Sequence, residues 1–150
     1  MSSRFVVGID LGTTNCALAY VDLGLGDAPR CQTLSVPQVV QPGQIEQRPL
    51  LSSFLYLPGP NEQPAGSLKL PWGERDFCVG EFARNFGSQV PTRLVSSAKS
   101  WLCHPGVDRR APILPWKAPE GGRKVSPLEA CTRYLKHLAE AWNHTIAKDV

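Results

Sequence analysis

The chain has 150 residues, and its 16 basic and 13 acidic side chains give a net charge of +3. This length suits one domain or part of a larger one, and a hydrophobic content of 42% excludes an intrinsically disordered chain. The mild charge has no clustered basic tract, so we expect neither nucleic acid nor a membrane as a partner. The apolar runs fall short of the ~18 residues that cross a bilayer, and the polar start is unlike a signal peptide. The five cysteines form no CxxC pair, which indicates reduced thiols in the cytoplasm.

The first third of the sequence is predicted to form short strands joined by turns. Residues 4–10 are an apolar, β-branched run typical of a central strand, and residues 16–21 and 31–36 follow it after turn sequences. These three segments predict an antiparallel meander. Further strand candidates lie on both sides of a Pro-Gly turn and shortly after it, at residues 38–40, 44–47 and 53–57.

Two long loops and two short helical segments are predicted next. Residues 58–73 and 104–124 are loops by composition, and each contains a Leu-Pro-Trp segment. We expect Trp72 and Trp116 to anchor their own loops to the core; the alternative is that they are anchors for a partner. A short strand at 77–80 leading into a helix at 81–86, and a partly helical stretch at 92–102, are predicted between the loops.

The C-terminal helix has the clearest signature of any element. Ser126 is a natural N-cap, Pro127 suits the first helical position, and Glu129 completes a capping box. Apolar residues then recur every three or four positions and predict one buried stripe, which comprises Leu128, Cys131, Leu135, Leu138, Trp142 and Ile146. The other faces are predicted to be solvated and carry Arg133, Lys136, His137, Glu140 and His144. A metal site on that polar side is the less favoured alternative.

The sequence Asp-Leu-Gly-Thr-Thr-Asn at residues 10–15 carries the main chemical signal. A strand delivers the carboxylate of Asp10, and Gly12 then permits a tight turn with exposed backbone N–H groups. With the hydroxyls of Thr13 and Thr14, such a turn can surround the terminal phosphates of a nucleotide. Asp10 would hold Mg²⁺ through water, because magnesium gives up its hydration shell reluctantly. An ordinary hairpin turn with a capping aspartate is the alternative.

These residues resemble a known motif. Residues 7–15, Val-Gly-Ile-Asp-Leu-Gly-Thr-Thr-Asn, are similar to the first phosphate motif of the actin-like ATPase superfamily, and most closely to that of DnaK-like (70 kDa heat-shock) chaperones. A second match reproduces the chaperone pattern V-G-x-x-A, followed by a proline and then a buried lysine. The matching residues are Val79, Gly80, Ala83, Pro91 and Lys99, and the intervals from 83 to 91 and from 91 to 99 are eight residues each. Residues 49–55 look loosely like the family's T-P-S-x-V strand, and residues 126–129 fall where the family has a capped helix.

The resemblance implies an α/β fold of the ribonuclease H-like type, as a half-lobe of an actin-like ATPase. A mixed sheet would open with the antiparallel meander, and the amphipathic C-terminal helix would pack on it. Residues 1–39 and 125–150 would form the core subdomain, with a smaller subdomain inserted at about 40–124.

The resemblance also implies the roles of individual residues. Gly12, Thr13, Thr14 and Asn15 would cradle the β- and γ-phosphates of ATP, with Asp10 holding Mg²⁺ through water. Lys99 matches the family's lysine that reaches the γ-phosphate and stabilises its charge as water attacks. The residues after Lys99, Ser-Trp-Leu-Cys, depart from the family pattern and indicate an atypical branch.

In that family ATP lies between two lobes, and nothing in this sequence resembles the second lobe's D-x-G-G-G-T loop or the peptide-binding domain. We therefore expect an N-terminal portion of a longer ATPase that is inactive alone and can self-associate through an exposed lobe interface. The complete protein, with ATP/ADP and Mg²⁺ as cofactors, would bind and hydrolyse Mg-ATP to drive the binding and release of unfolded polypeptide, with co-chaperones as partners. The alternatives are a carbohydrate kinase of the same superfamily, a small RuvC-like nuclease with two metal ions, and a catalytically silent binding module.

Overall fold

The computed structural model describes residues 3–26 and 28–149. The first part of the chain forms a four-stranded antiparallel sheet. The strand β1 (Phe5–Leu11) pairs along its whole length with β2 (Asn15–Asp22). The other side of β2 pairs with two short strands, β3 (Cys31–Thr33) at one end and β6 (Leu51–Ser52) at the other. The predicted meander is therefore confirmed.

Two smaller sheets follow. A hairpin is formed by β4 (Val36–Gln41) and β5 (Gln44–Arg48), whose turn contains Gly43 at a φ of 73°. That positive φ favours glycine and explains the predicted turn. The third sheet has the order β8-β7-β9 and is built from very short strands, β7 (Leu55–Tyr56), β8 (Cys78–Val79) and β9 (Leu94–Val95).

Three α-helices complete the described chain, namely α1 (Glu81–Gly87), α2 (Ala98–Trp101) and α3 (Pro127–Thr145). Short 3₁₀ turns lie at Pro91–Arg93 and Ala147–Asp149. The first turn of α1 is capped by a residue that is distant in the sequence. The side-chain oxygen of the buried Gln38 accepts a hydrogen bond of 2.9 Å from the backbone N–H of Glu81.

The architecture thus combines small antiparallel sheets with a few helices. The predicted mixed sheet is wrong for residues 3–26 and 28–149, where every strand pairing is antiparallel. Short turns join β1 to β2 and β4 to β5, and a short turn can only reverse the chain. The predicted strand at 31–36 is divided, because Leu34 leaves the first sheet and Val36 begins the second hairpin. The proposed subdomain boundaries near residues 39 and 124 stay a prediction.

The buried face of α3 differs from the predicted stripe. Cys131 and Leu138 are buried as expected, but Leu128 and Leu135 are 42% and 37% exposed. The face that is buried lies partly to one side of the stripe and comprises Pro127, Ala130, Cys131, Tyr134, His137, Leu138 and Ala141. The periodicity located the helix correctly, but it could not show which neighbouring elements would cover it.

His137 was predicted on a solvated face, and that prediction is wrong. Its side chain is only 5% exposed, because the β4–β5 hairpin and the loop around Trp72 cover this side of α3. The ring Nε2 lies 2.9 Å from the carbonyl oxygen of Pro37 and donates to it. Burial lowers the pKa of His137, so the neutral ring is favoured in the folded state.

The start of α3 forms as predicted. The hydroxyl of Ser126 accepts a bond of 3.0 Å from the backbone N–H of Glu129, and Pro127 occupies the first turn. The carboxylate of Glu129, however, pairs with Arg133 one turn later at 2.5 Å. The structure therefore confirms the serine cap, while the glutamate stabilises the helix through an i,i+4 ion pair.

The two Leu-Pro-Trp segments behave differently. Trp72 is partly buried and packs against the rings of His137 and His144, so it anchors its loop as expected. Trp116 is 65% exposed and stacks on Trp101 with 5.2 Å between ring centroids. The prediction that Trp116 anchors its loop in the core is therefore wrong.

Candidate nucleotide-phosphate site

The predicted phosphate turn joins β1 to β2 and is held in place by Ser53. The Ser53 hydroxyl donates a bond of 2.8 Å to the carbonyl oxygen of Gly12, and its backbone N–H donates one of 2.8 Å to that of Thr14. These two carbonyls are thus satisfied by the protein. The side chains of Thr13 and Thr14 are exposed, so their hydroxyls face solvent and can contact a ligand.

Only glycine fits at position 12. A Cβ atom built there would lie 2.0 Å from the carbonyl oxygen of Asn15, far inside the 3.0 Å below which Cβ contacts are essentially never found. The close approach of the chain to itself therefore excludes every side chain at Gly12. A turn of this tightness brings successive backbone groups close together, which suits the binding of an anion such as a phosphate.

Asp10 lies in β1 opposite Ala17, and the strand continues one residue further than predicted, to Leu11. Side chains alternate along a strand, so Asp10 points away from the sheet face that carries the buried Cys16 and Leu18. Asp10 is exposed. A hydrated cation can therefore approach its carboxylate without displacing the core.

Lys99 is the second residue of α2, and its side chain is exposed. The expectation of a buried lysine is wrong, because α2 has a single turn and is anchored by the buried Ala98 beneath it. The residue before the helix, Ser97, has a φ of 54°, a left-handed conformation that is uncommon for a residue other than glycine. Such backbone strain often accompanies functional sites.

A small buried cluster lies between the turn and α2. The Sγ atom of Cys16 is 3.2 Å from the Ser53 hydroxyl. Burial raises the pKa of the Cys131 thiol to about 11, the nearby Cys16 adds to the rise, and the charge of Lys99 opposes it. Ala98, which precedes Lys99 in α2, belongs to the same buried core cluster as Cys16 and Cys131, so α2 and the start of β2 pack on a shared part of the core.

The structure does not bring all the predicted site residues together. Within residues 3–26 and 28–149, no hydrogen bond or ion pair joins Asp10 to Lys99 or to either threonine. Sequence analysis predicted a strand at residues 53–57 but missed the role of Ser53 in supporting the turn. Nothing in its local sequence shows that it would lie beneath a turn about forty residues earlier.

Among the described residues, no three His, Cys, Asp or Glu side chains form a group that could hold a metal ion. In the same part of the chain, no helix has both the length and the apolar character needed to cross a membrane. Comparisons of the chain with protein-family models, with curated proteins and with solved structures find no match.

Proposed function

We propose that this chain is the N-terminal portion of the nucleotide-binding domain of a cytoplasmic DnaK-like chaperone, with an actin-like ATPase half-lobe fold of the ribonuclease H-like type. The observation that carries the proposal is the turn at residues 12–14. It accepts only glycine at its first position, exposes two threonine hydroxyls, and has two carbonyls held by Ser53. A turn whose carbonyls are already bonded presents mainly donors to an anion.

Each site residue has a distinct role in this proposal. Gly12 lets the backbone approach the β- and γ-phosphates of ATP, while Thr13, Thr14 and Asn15 donate hydrogen bonds to them. Asp10 holds the water shell of Mg²⁺, which neutralises phosphate charge when bound. The exposed ammonium of Lys99 stabilises the charge on the transferring phosphoryl group as water attacks.

The open edge of the first sheet supports a larger domain. Among the described residues β1 has β2 as its neighbour on one side, and its other edge is bare. Val6, Val7 and Ile9 of this strand are all exposed apolar residues. Bare apolar edges are normally covered in native proteins. We propose that further parts of the complete protein cover this edge, close the ATP site, and bind unfolded polypeptide and co-chaperones.

The test uses the complete native reading frame that contains this chain. We expect it to bind Mg-ATP and to hydrolyse it. Lys99→Ala should retain ATP binding but lower kcat by about 10²-fold or more, as removal of a transition-state donor does. Lys124→Ala, which removes another exposed lysine far along the chain, is the matched control and should leave kcat unchanged.

Three results would contradict the proposal. The complete protein could fail to bind Mg-ATP. It could transfer the phosphoryl group to a sugar, which would identify a carbohydrate kinase, or it could cleave nucleic acid, which would identify a RuvC-like nuclease. Unchanged hydrolysis in both Asp10→Asn and Lys99→Ala would show that these residues do not carry the catalysis, whereas binding of Mg-ATP without any hydrolysis would support a catalytically silent binding module.

A further inference from the structure

A cleft of about 730 Å³ lies where the two long loops meet. Arg123 in the second loop holds the first loop at Asp76, donating to its backbone carbonyl at 2.7 Å and to its carboxylate at 2.8 Å. The cleft volume falls within the roughly 300–1,000 Å³ of small-molecule sites. None of the phosphate-turn residues lines it, so this cleft is separate from the proposed nucleotide site.

Positive charge faces this cleft. Arg75, Arg93 and Arg123 all line it, and each side chain is about a third exposed. The acidic partners of the first two arginines, Glu140 and Glu62, are not part of the lining. Each arginine therefore contributes to the wall of the cleft, whereas these two carboxylates do not.

Two carboxylates, Glu74 and Asp76, also line the cleft, and the protein donates hydrogen bonds to both, with Arg123 bonded to Asp76 at 2.8 Å. Glu74, which lines it, accepts a bond of 2.7 Å from the backbone N–H of Gly66. Glu62 accepts one of 2.6 Å from Gly59, in addition to its ion pair with Arg93. A guanidinium, in contrast, has five N–H donors, and the protein uses only one or two of them. The cleft thus has donors to spare and should select a ligand rich in acceptors.

Apolar patches form part of the remaining walls, beside Gln63, Glu74 and Asp76. These patches are formed by proline rings and small aliphatic side chains, namely Pro58, Pro60, Pro64, Ala65 and Leu68. An apolar wall beside a few convergent polar groups is the usual composition of a small-molecule site. Guanidinium groups bind carboxylates and phosphates by paired hydrogen bonds.

We propose that this cleft binds a small organic anion in which an apolar body carries a phosphate or carboxylate headgroup. The headgroup accepts hydrogen bonds from Arg75, Arg93 and Arg123, and the apolar body packs on the prolines. Phenyl phosphate and benzoate are the probes for the two headgroups. Phenol and inorganic phosphate are the controls, since each carries only half of the proposed features.

The experiment is a titration of the ¹⁵N-labelled chain, followed by NMR. We expect phenyl phosphate, benzoate or both to cause saturable changes in the amide chemical shifts of Gly59, Gly121 and Gly122. Phenol and inorganic phosphate should each bind at least about tenfold more weakly than the better of the two probes. Arg75→Gln should raise the Kd about tenfold, because a charge-assisted hydrogen bond is lost. Arg84→Gln removes an exposed arginine outside the cleft and should leave the Kd unchanged.

A second variant keeps the proposal testable if the arginine change unfolds the loops. Ala65→Trp keeps every charge but fills the cleft, and it should abolish the saturable shifts. The proposal is overturned if neither probe saturates, if phenol or inorganic phosphate binds as tightly as the better probe, or if Ala65→Trp binds as the unmodified chain does. Loss of Mg-ATP binding in the complete protein would not affect this result, because the cleft shares no residue with the phosphate turn.

Discussion

Replacement of Gly12 by alanine is the sharpest test of the phosphate turn. The added Cβ would lie 2.0 Å from the carbonyl oxygen of Asn15, so the two must separate by at least 1.0 Å to reach 3.0 Å. That movement pulls on the bond of 2.8 Å from the Ser53 hydroxyl to the Gly12 carbonyl. Overpacking of this kind costs about 1–3 kcal/mol. For a domain of this size, the midpoint of thermal unfolding should fall by about 2–12 °C.

The assay is thermal unfolding of the two purified chains, followed by circular dichroism. Gly8→Ala is the matched control, because it lies in the adjoining β1 strand and a Cβ there has no atom within 4 Å. Alanine should therefore be tolerated at Gly8 and can raise stability slightly, since glycine is costly in a strand. If Gly12→Ala unfolds at the same temperature as the unmodified chain, the chain does not approach itself at this turn and the reasoning fails.

Three further outcomes are expected. Ser53→Ala should lower the free energy of unfolding by about 0.5–1.5 kcal/mol in urea, because the Gly12 carbonyl loses its donor; no change would mean that solvent replaces that bond. Burial lowers the pKa of His137 below its ordinary 6.5. The contribution of His137 to the free energy of unfolding should therefore be constant above pH 6.5. As the pH is lowered from 6.5, this contribution should decrease by at most about 1.4 kcal/mol per pH unit. His137→Gln should remove that part of the pH dependence in parallel denaturation curves, and an unaltered slope would contradict it. The 150-residue chain should self-associate through the bare edge of β1 in sedimentation experiments. Ile9→Lys should suppress the self-association, whereas the control Leu25→Lys, at another exposed apolar residue, should leave it unchanged.

The features that were predicted correctly depend on residues close together in the chain. The β1–β2 hairpin follows from two apolar runs around Gly12, and the start of α3 follows from Ser126 and Pro127. Local sequence alone determines such turns and caps, because the interacting groups are only a few residues apart. The same reasoning predicted the general mixture of strands and helices.

The features that were missed depend on contacts between distant residues. His137 is buried because Pro37, one hundred residues earlier, places a carbonyl beside it. Leu135 is exposed because no described element covers that side of α3. Periodicity gives the directions of side chains around a helix, but it does not give the positions of the neighbouring elements. The exposure of Lys99 was missed for the same reason, since a spacing pattern carries no information on burial.

The buried cluster beneath the candidate site explains how distant segments can position one another. Ser53 contacts both the Gly12 carbonyl and Cys16, so this one side chain helps to position both the turn and the first residues of β2. Cys131, in α3, lies close enough to Cys16 and to Lys99 for both to affect its pKa. Because packed interiors transmit displacement, a change at Cys131 should disturb the turn and α2 together. The position of Lys99 relative to the phosphate turn therefore depends on the packing of α3, and this dependence could not be inferred from the spacing of the motif residues.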